Sequence, residues 1–168
     1  MKALIITLIG LVYSVASYGQ ISPEKLLQQC KSSYVSMSYN YSIEGEMPVC
    51  GSGIVSIQGN CFTSEGDGIR LFCDGANRWT VDDIAREIYI EAVAEGEEAE
   101  SVISGYLRKM SDYKVEKDRI SGSLKDAGQS IHIEISNIKI LPSLKDLDTF
   151  RFDTSSINAN EWIINDLR

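Results

Sequence analysis

A single histidine, four cysteines and two clusters of carboxylates are the residues of this chain whose chemistry could be put to work. A nucleophile activated by a base needs a histidine beside a serine or cysteine. His132 instead sits between Ile131 and Ile133 with Glu134 two places on, an alternation that turns it to solvent. Asp82 and Asp83 fall in a turn, and Glu97, Glu98 and Glu100 stand at a helix start, where solvated acid is the ordinary arrangement. There is no His-x-x-x-His, no Asp-rich metal loop, no Gly-rich phosphate cradle and no Gly-x-Ser-x-Gly elbow. The expectation is a protein that is not an enzyme and uses no cofactor and no metal. Catalysis would have to come from residues distant in sequence.

The cysteines, Cys30, Cys50, Cys61 and Cys73, are spaced by 20, 11 and 12 residues, without the close Cys-x-x-Cys pairs of zinc sites. Four cysteines in an exported chain favour two disulfides, with three possible connectivities. A hairpin centred on Asp67 would set Cys61 opposite Cys73 and leave Cys30 for Cys50, but a shift of half a residue in the turn breaks that register. The pairing stays open.

Export is read from residues 1–19. Lys2, an apolar run from Ala3 to Val12 and a small-residue end at Ser17-Tyr18-Gly19 have the pattern of a secretory signal peptide, too short to span a membrane. The mature part, 20–168, is then one soluble domain, large enough to bury a core. Without Lys2, 15 basic residues face 24 acidic ones, a net charge of −9. Such a surface argues against nucleic acid as a partner.

The elements that must position these residues are mostly strands. Ser22 and Pro23 open a short helix with Leu26, Leu27 and Cys30 on its apolar side. From Val35 to Glu44, Val35, Met37, Tyr39, Tyr41 and Ile43 alternate with polar residues, a period of two held over ten positions. A strand is expected over Gly53 to Phe62, a hairpin at Gly66-Asp67-Gly68, and a second hairpin at Asp74-Gly75 that leads out through Trp79 and Val81. Ile88 and Ile90 mark the next strand. A helix over 97–110 follows, with Val102, Ile103, Tyr106, Leu107 and Met110 in one stripe. Strands resume from Tyr113 to Lys117, Arg119 to Lys125 and Ser130 to Leu141. A short Phe150-Arg151-Phe152-Asp153 strand and an edge strand after Trp162 close the chain.

Eight or nine short antiparallel strands with two helices leave much oily sheet surface to cover. Met37, Tyr39, Tyr41, Ile57, Leu71, Trp79, Val81, Ile88 and Ile90 are expected to line a cavity under the 97–110 helix, where a hydrocarbon could bind at ~0.8 kcal/mol per buried methylene. The alternative is that these side chains fill a solid core.

Asp74-Gly75 followed by Trp79-Thr80, after one strand and before a second with Glu87-Ile88-Tyr89-Ile90, resembles the DGxxxW hairpin of the periplasmic outer-membrane lipoprotein carriers, the LolA family. Residues 53–60, Phe150-Arg151-Phe152-Asp153 and Asn165-Asp166-Leu167-Arg168 are similar to a shorter LolA-like branch. The resemblance implies a mainly β fold, a curved, unclosed antiparallel half-barrel with an N-terminal helix and a helical lid. It implies a monomer in the periplasm that shields the acyl chains of lipoproteins, with an inner-membrane release complex and an outer-membrane acceptor as partners. Where the better-known carriers have a Lys-Arg-Pro segment this chain has Gly66-Asp67-Gly68-Ile69-Arg70, so the lid latch is not assigned to Arg70.

Overall fold

The computed structural model describes residues 21–44, 47–93, 102–110, 112–117, 119–126, 129–158 and 160–168. The expected signal peptide at 1–19, the acidic run at 95–100 and the side chains of the expected lid residues Val102 and Ile103 lie outside the described residues. Ten strands form one open sheet: β1 (Tyr34–Glu44), β2 (Val49–Gln58), β3 (Cys61–Gly66), β4 (Ile69–Cys73), β5 (Asn77–Asp82), β6 (Glu87–Ala92), β7 (Asp112–Glu116), β8 (Arg119–Asp126), β9 (Gln129–Leu141) and β10 (Ile163–Asp166). Their order is β10-β6-β5-β4-β3-β2-β1-β9-β8-β7. Among the described residues the α-helices are α1 (Pro23–Ser32) and α2 (Val102–Lys109).

Helix α1 begins as the sequence predicts. The Ser22 hydroxyl accepts from the Lys25 amide at 3.4 Å, Pro23 takes the first turn, and Ile21 and Leu26 are buried in the same cluster. Two hairpins depart from expectation. The run from Gly53 to Phe62 is not one strand, because Gly59, at φ +59°, and Asn60 turn the chain between Gln58 and Cys61. The following turn holds Asp67 and Gly68, both at positive φ, so its centre falls between them and Gly66 pairs with Ile69. Phe62, not Cys61, therefore stands across from Cys73.

That half-residue difference decides the cysteines. Successive side chains leave a strand on opposite faces, so Cys61 points away from the Cys73 side chain. The Cys30 carbonyl accepts from the Gly59 amide at 2.6 Å, which puts Cys30 at one end of β2. Cys50 opens the other end, about 30 Å distant along the strand. A disulfide needs Cα atoms within about 7 Å. All four cysteines are free thiols, and neither expected bridge forms. Burial pushes the Cys30 thiol up to about 12, far from a reactive thiolate.

The sheet changes its oily side at β4. From β9 through β3 the inner face bears Ile133, Ile135, Val35, Met37, Val55 and Phe62, over which α1 and α2 pack. In β4, Ile69, Leu71 and Cys73 stay on that face while Phe72 takes the other. In β5 and β6 the apolar residues Trp79, Val81, Ile88 and Ile90 all lie on the outer face with Phe72. Their cover is the C-terminal segment, which contributes Phe152, Ile157 and Trp162.

That segment runs back across the outer face. The Gln58 side chain donates to the Leu144 carbonyl at 3.0 Å and accepts from its amide at 2.6 Å. Phe150 is fully buried, with its ring 6.2 Å from Tyr34. The expected strand at 150–153 is instead a 3-10 turn, Asp148–Phe150, followed by irregular chain, because here the backbone crosses the sheet rather than joining it. The edge strand after Trp162 does form, and it lies parallel to β6. Arg70 also belongs to this side. It makes a two-pronged pair with Asp83 at 2.6 and 2.8 Å, and its guanidinium lies 5.4 Å from the Phe152 ring centre.

Asp74 ties the second hairpin to the returning segment. One carboxylate oxygen accepts from the amides of Ala76 and Asn77, and the other accepts from Arg151 at 2.9 Å. Gly75 follows at φ +90°, a conformation that glycine adopts without strain. Burial works to raise the Asp74 pKa, but the two amides and the Arg151 charge outweigh it and hold the carboxyl below its usual 3.8. The stability this group supplies is present above the unfolded value and is lost as pH falls through the folded one. Asp74→Asn should therefore lower the denaturation midpoint at neutral pH and narrow its gap from wild type below about pH 4, where the native carboxylate protonates. Urea titrations of both proteins across that range check this.

Candidate functional site

The inner face reads as lateral rows. Ile135, Tyr39, Gly53, Gly66 and Ile69 stand side by side on five adjacent strands, and Met37, Val55, Ser64 and Leu71 form the row beside them. Helix α1 covers the end where Val35 and Ile57 lie, and Leu107 of α2 and Met110 just after it belong to the same buried cluster. Toward the Tyr41 and Ile43 end the face stays open.

There the sheet holds a groove of about 300 Å³, with Tyr39, Tyr41, Ile43, Ile69, Leu71 and Ile133 among its lining. Tyr106 of α2 forms its side under the helix. Ser64, Gly66 and Asp67 also line it, so among the described residues the lining carries one carboxylate and no cation. The Tyr41 hydroxyl donates to Asp67 at 3.2 Å, and the hydroxyls of Tyr39 and Ser64 are 3.4 Å apart. Burial first, and then the Asp67 charge, raise the Tyr41 pKa, so its hydroxyl remains a donor at neutral pH.

The nine residues expected to line one cavity divide between two faces. Met37, Tyr39, Tyr41, Ile57 and Leu71 gather in the inner cluster with Tyr106, Leu107 and Met110, and of these Tyr39, Tyr41, Leu71 and Tyr106 reach the groove. Trp79, Val81, Ile88 and Ile90 form the separate outer cluster. Ile43 and Ile133 were legible in the alternation of their strands but were not counted as lining. Ile69 could have been found from its parity with Leu71. On the inner face of β5 and β6 the residues are polar instead, and Arg78 pairs with Glu91 at 2.7 Å.

A larger hollow of about 780 Å³ separates α1 from α2 at the Gly59 end of β2. Its lining mixes Glu24, Lys31 and Arg108 with Leu27, Ile57, Leu107 and Met110, so three of the residues expected at the cavity and its lid, Ile57, Leu107 and Met110, line this hollow and not the groove. His132 is exposed, with Nδ1 3.2 Å from the Ser123 hydroxyl. Among the described residues no group of three or more His, Cys, Asp or Glu is placed to hold a metal ion. Nor is any helix there long and apolar enough to cross a membrane.

No family model matches this chain, and no curated protein sequence matches it. The functional reading rests on the groove and on the residues that form it.

Proposed function

We propose that this is an exported protein that binds hydrocarbon chains, a LolA-like half-barrel in which α2 serves as lid and the groove receives an acyl chain of a lipoprotein in transit through the periplasm. The observation that carries the reading is the groove itself: Tyr39, Tyr41, Ile43, Ile69 and Leu71 are left partly exposed at the open end of a face on which Val35, Met37, Val55 and Ile57 are buried. A folded monomer gains nothing by leaving such a set half covered, whereas an apolar guest would gain ~0.8 kcal/mol per methylene buried. The DGxxxW hairpin and the signal-like residues 1–19 agree with it. An inner-membrane release complex and an outer-membrane acceptor are the partners this reading requires.

One observation favours a second reading, a lipid-binding or lipid-sensing module of the same fold with no part in lipoprotein sorting. At about 300 Å³ the groove is at the small end of ligand pockets. It suits one chain better than several.

Native mass spectrometry of protein purified from its own compartment should find bound lipid or lipoprotein, and the delipidated protein should take up a fluorescent acyl ester. Protein that is empty in the first measurement and inert in the second overturns both readings. Depletion separates them: lipoproteins held back at the inner membrane support the carrier, and normal sorting supports the module.

A further inference from the structure

Tyr39 and Tyr41 do more than line the groove. Between Tyr39 on β1 and Ile69 on β4, the two intervening places in the row are Gly53 and Gly66, and Gly51 stands beside Tyr41. The floor from β1 to β4 is thus bare backbone over three interstrand steps, about 14 Å. The two rings lie on it. A Cβ added at Gly53 would meet the Glu65 carbonyl first and the Tyr39 hydroxyl oxygen at 2.6 Å, one at Gly66 the Ser52 carbonyl first and that hydroxyl at 2.9 Å, and one at Gly51 the Asp67 carboxylate first and two carbons of the Tyr41 ring at 2.6 Å. The rings are nearly parallel, 25° apart with centroids separated by 6.4 Å.

Each ring is held at its tip by one hydrogen bond, Tyr41 to Asp67 and Tyr39 to Ser64, and both bonds are exposed or only partly buried. Single bonds of that kind hold weakly against water. The trough beneath is already shaped in backbone, and what fills it is two side chains that can rotate.

Building on the reading of the groove as a hydrocarbon site, we propose that Tyr39 and Tyr41 set how long a chain it accepts, by occupying the glycine-floored trough into which the groove would otherwise extend. The guest is a chain with an uncharged head. Among the described residues no cation lines the groove, and Asp67 at the Tyr41 tip would repel a free carboxylate.

The test uses n-alkyl alcohols from octanol to hexadecanol, displacing a fluorescent acyl ester from the full chain. Affinity should tighten about fourfold per added methylene while the added carbons are buried, and level off once the groove is full. In Tyr39→Leu/Tyr41→Leu, which keeps apolar bulk for folding, the plateau should move to longer alcohols. Hexadecanol should then bind at least about tenfold tighter than to wild type, the worth of roughly two more buried methylenes. Tyr39→Phe/Tyr41→Phe keeps the rings and should leave the plateau in place. An unchanged plateau in a folded leucine variant that binds octanol, or an equal shift in the phenylalanine variant, overturns the assignment to the rings. A wild type that binds neither ester nor alcohol overturns the groove reading and this inference with it.

Discussion

Trp79→Ala should cost about 3–5 kcal/mol of unfolding free energy and leave hydrocarbon uptake by the folded fraction unchanged. Trp79 is 7% exposed and packs with Val81, Ile88 and Ile90 on the outer face, beneath Phe152, Ile157 and Trp162. Its removal opens a cavity that the short strands β5 and β6 cannot close, and it loosens the returning segment. The groove is on the other side of the sheet, so its lining is untouched. Chemical denaturation gives the first quantity, and titration with a fluorescent acyl ester at a temperature where the variant is folded gives the second. Weakened binding without loss of stability would return Trp79 to the ligand site and contradict the two-faced arrangement.

Leu71→Glu should do the reverse. Leu71 is partly buried in the row beside Ser64, and it lines the groove. A glutamate there can turn its carboxylate to water in the empty protein, so the stability change should stay within about 1 kcal/mol. A bound chain would strip water from that charge and would also lose the leucine contact. Together these should weaken binding by about 2 kcal/mol, roughly 30-fold. Thermal unfolding and ester titration on the same preparation separate the two effects. Retained affinity would place the ligand elsewhere.

The contrast between these residues shows what was legible before any coordinates. β1 could be read directly, because Val35, Met37, Tyr39, Tyr41 and Ile43 keep strict alternation and all join one inner cluster. The cap of α1 could be read for the same reason: Ser22 and Pro23 act within one turn of chain. Which face of the sheet each strand's oily parity would join could not. Parity is counted within a strand, whereas the relation between strands depends on turn lengths: the turns at Gly59 and Asp67 set it from β2 to β4, and residues 74–76 between Cys73 and Asn77 set it from β4 to β5. Trp79 and Leu71 were therefore assigned to one cavity although the register of β4 on β5 sets them on opposite sides. The outer cluster was hidden for a further reason. Its cover comes from irregular chain around Phe152 and Ile157, where no periodicity announces burial.

Strand β4 has apolar residues on both faces, and this removes a safeguard its neighbours possess. Elsewhere in the sheet a one-residue slip would push oil into water and be rejected at once. In β4 such a slip trades Ile69, Leu71 and Cys73 for Phe72 and Arg70, so proofreading falls to the Arg70–Asp83 pair and to the turns at Asp67-Gly68 and Asp74-Gly75 that bracket the strand. The slipped arrangement would bring Cys61 directly across from Cys73, within the Cα separation that a disulfide accepts. Oxidation during folding would then turn a passing misalignment into a covalent trap, and a reductant present while the chain folds would raise the yield of the native form.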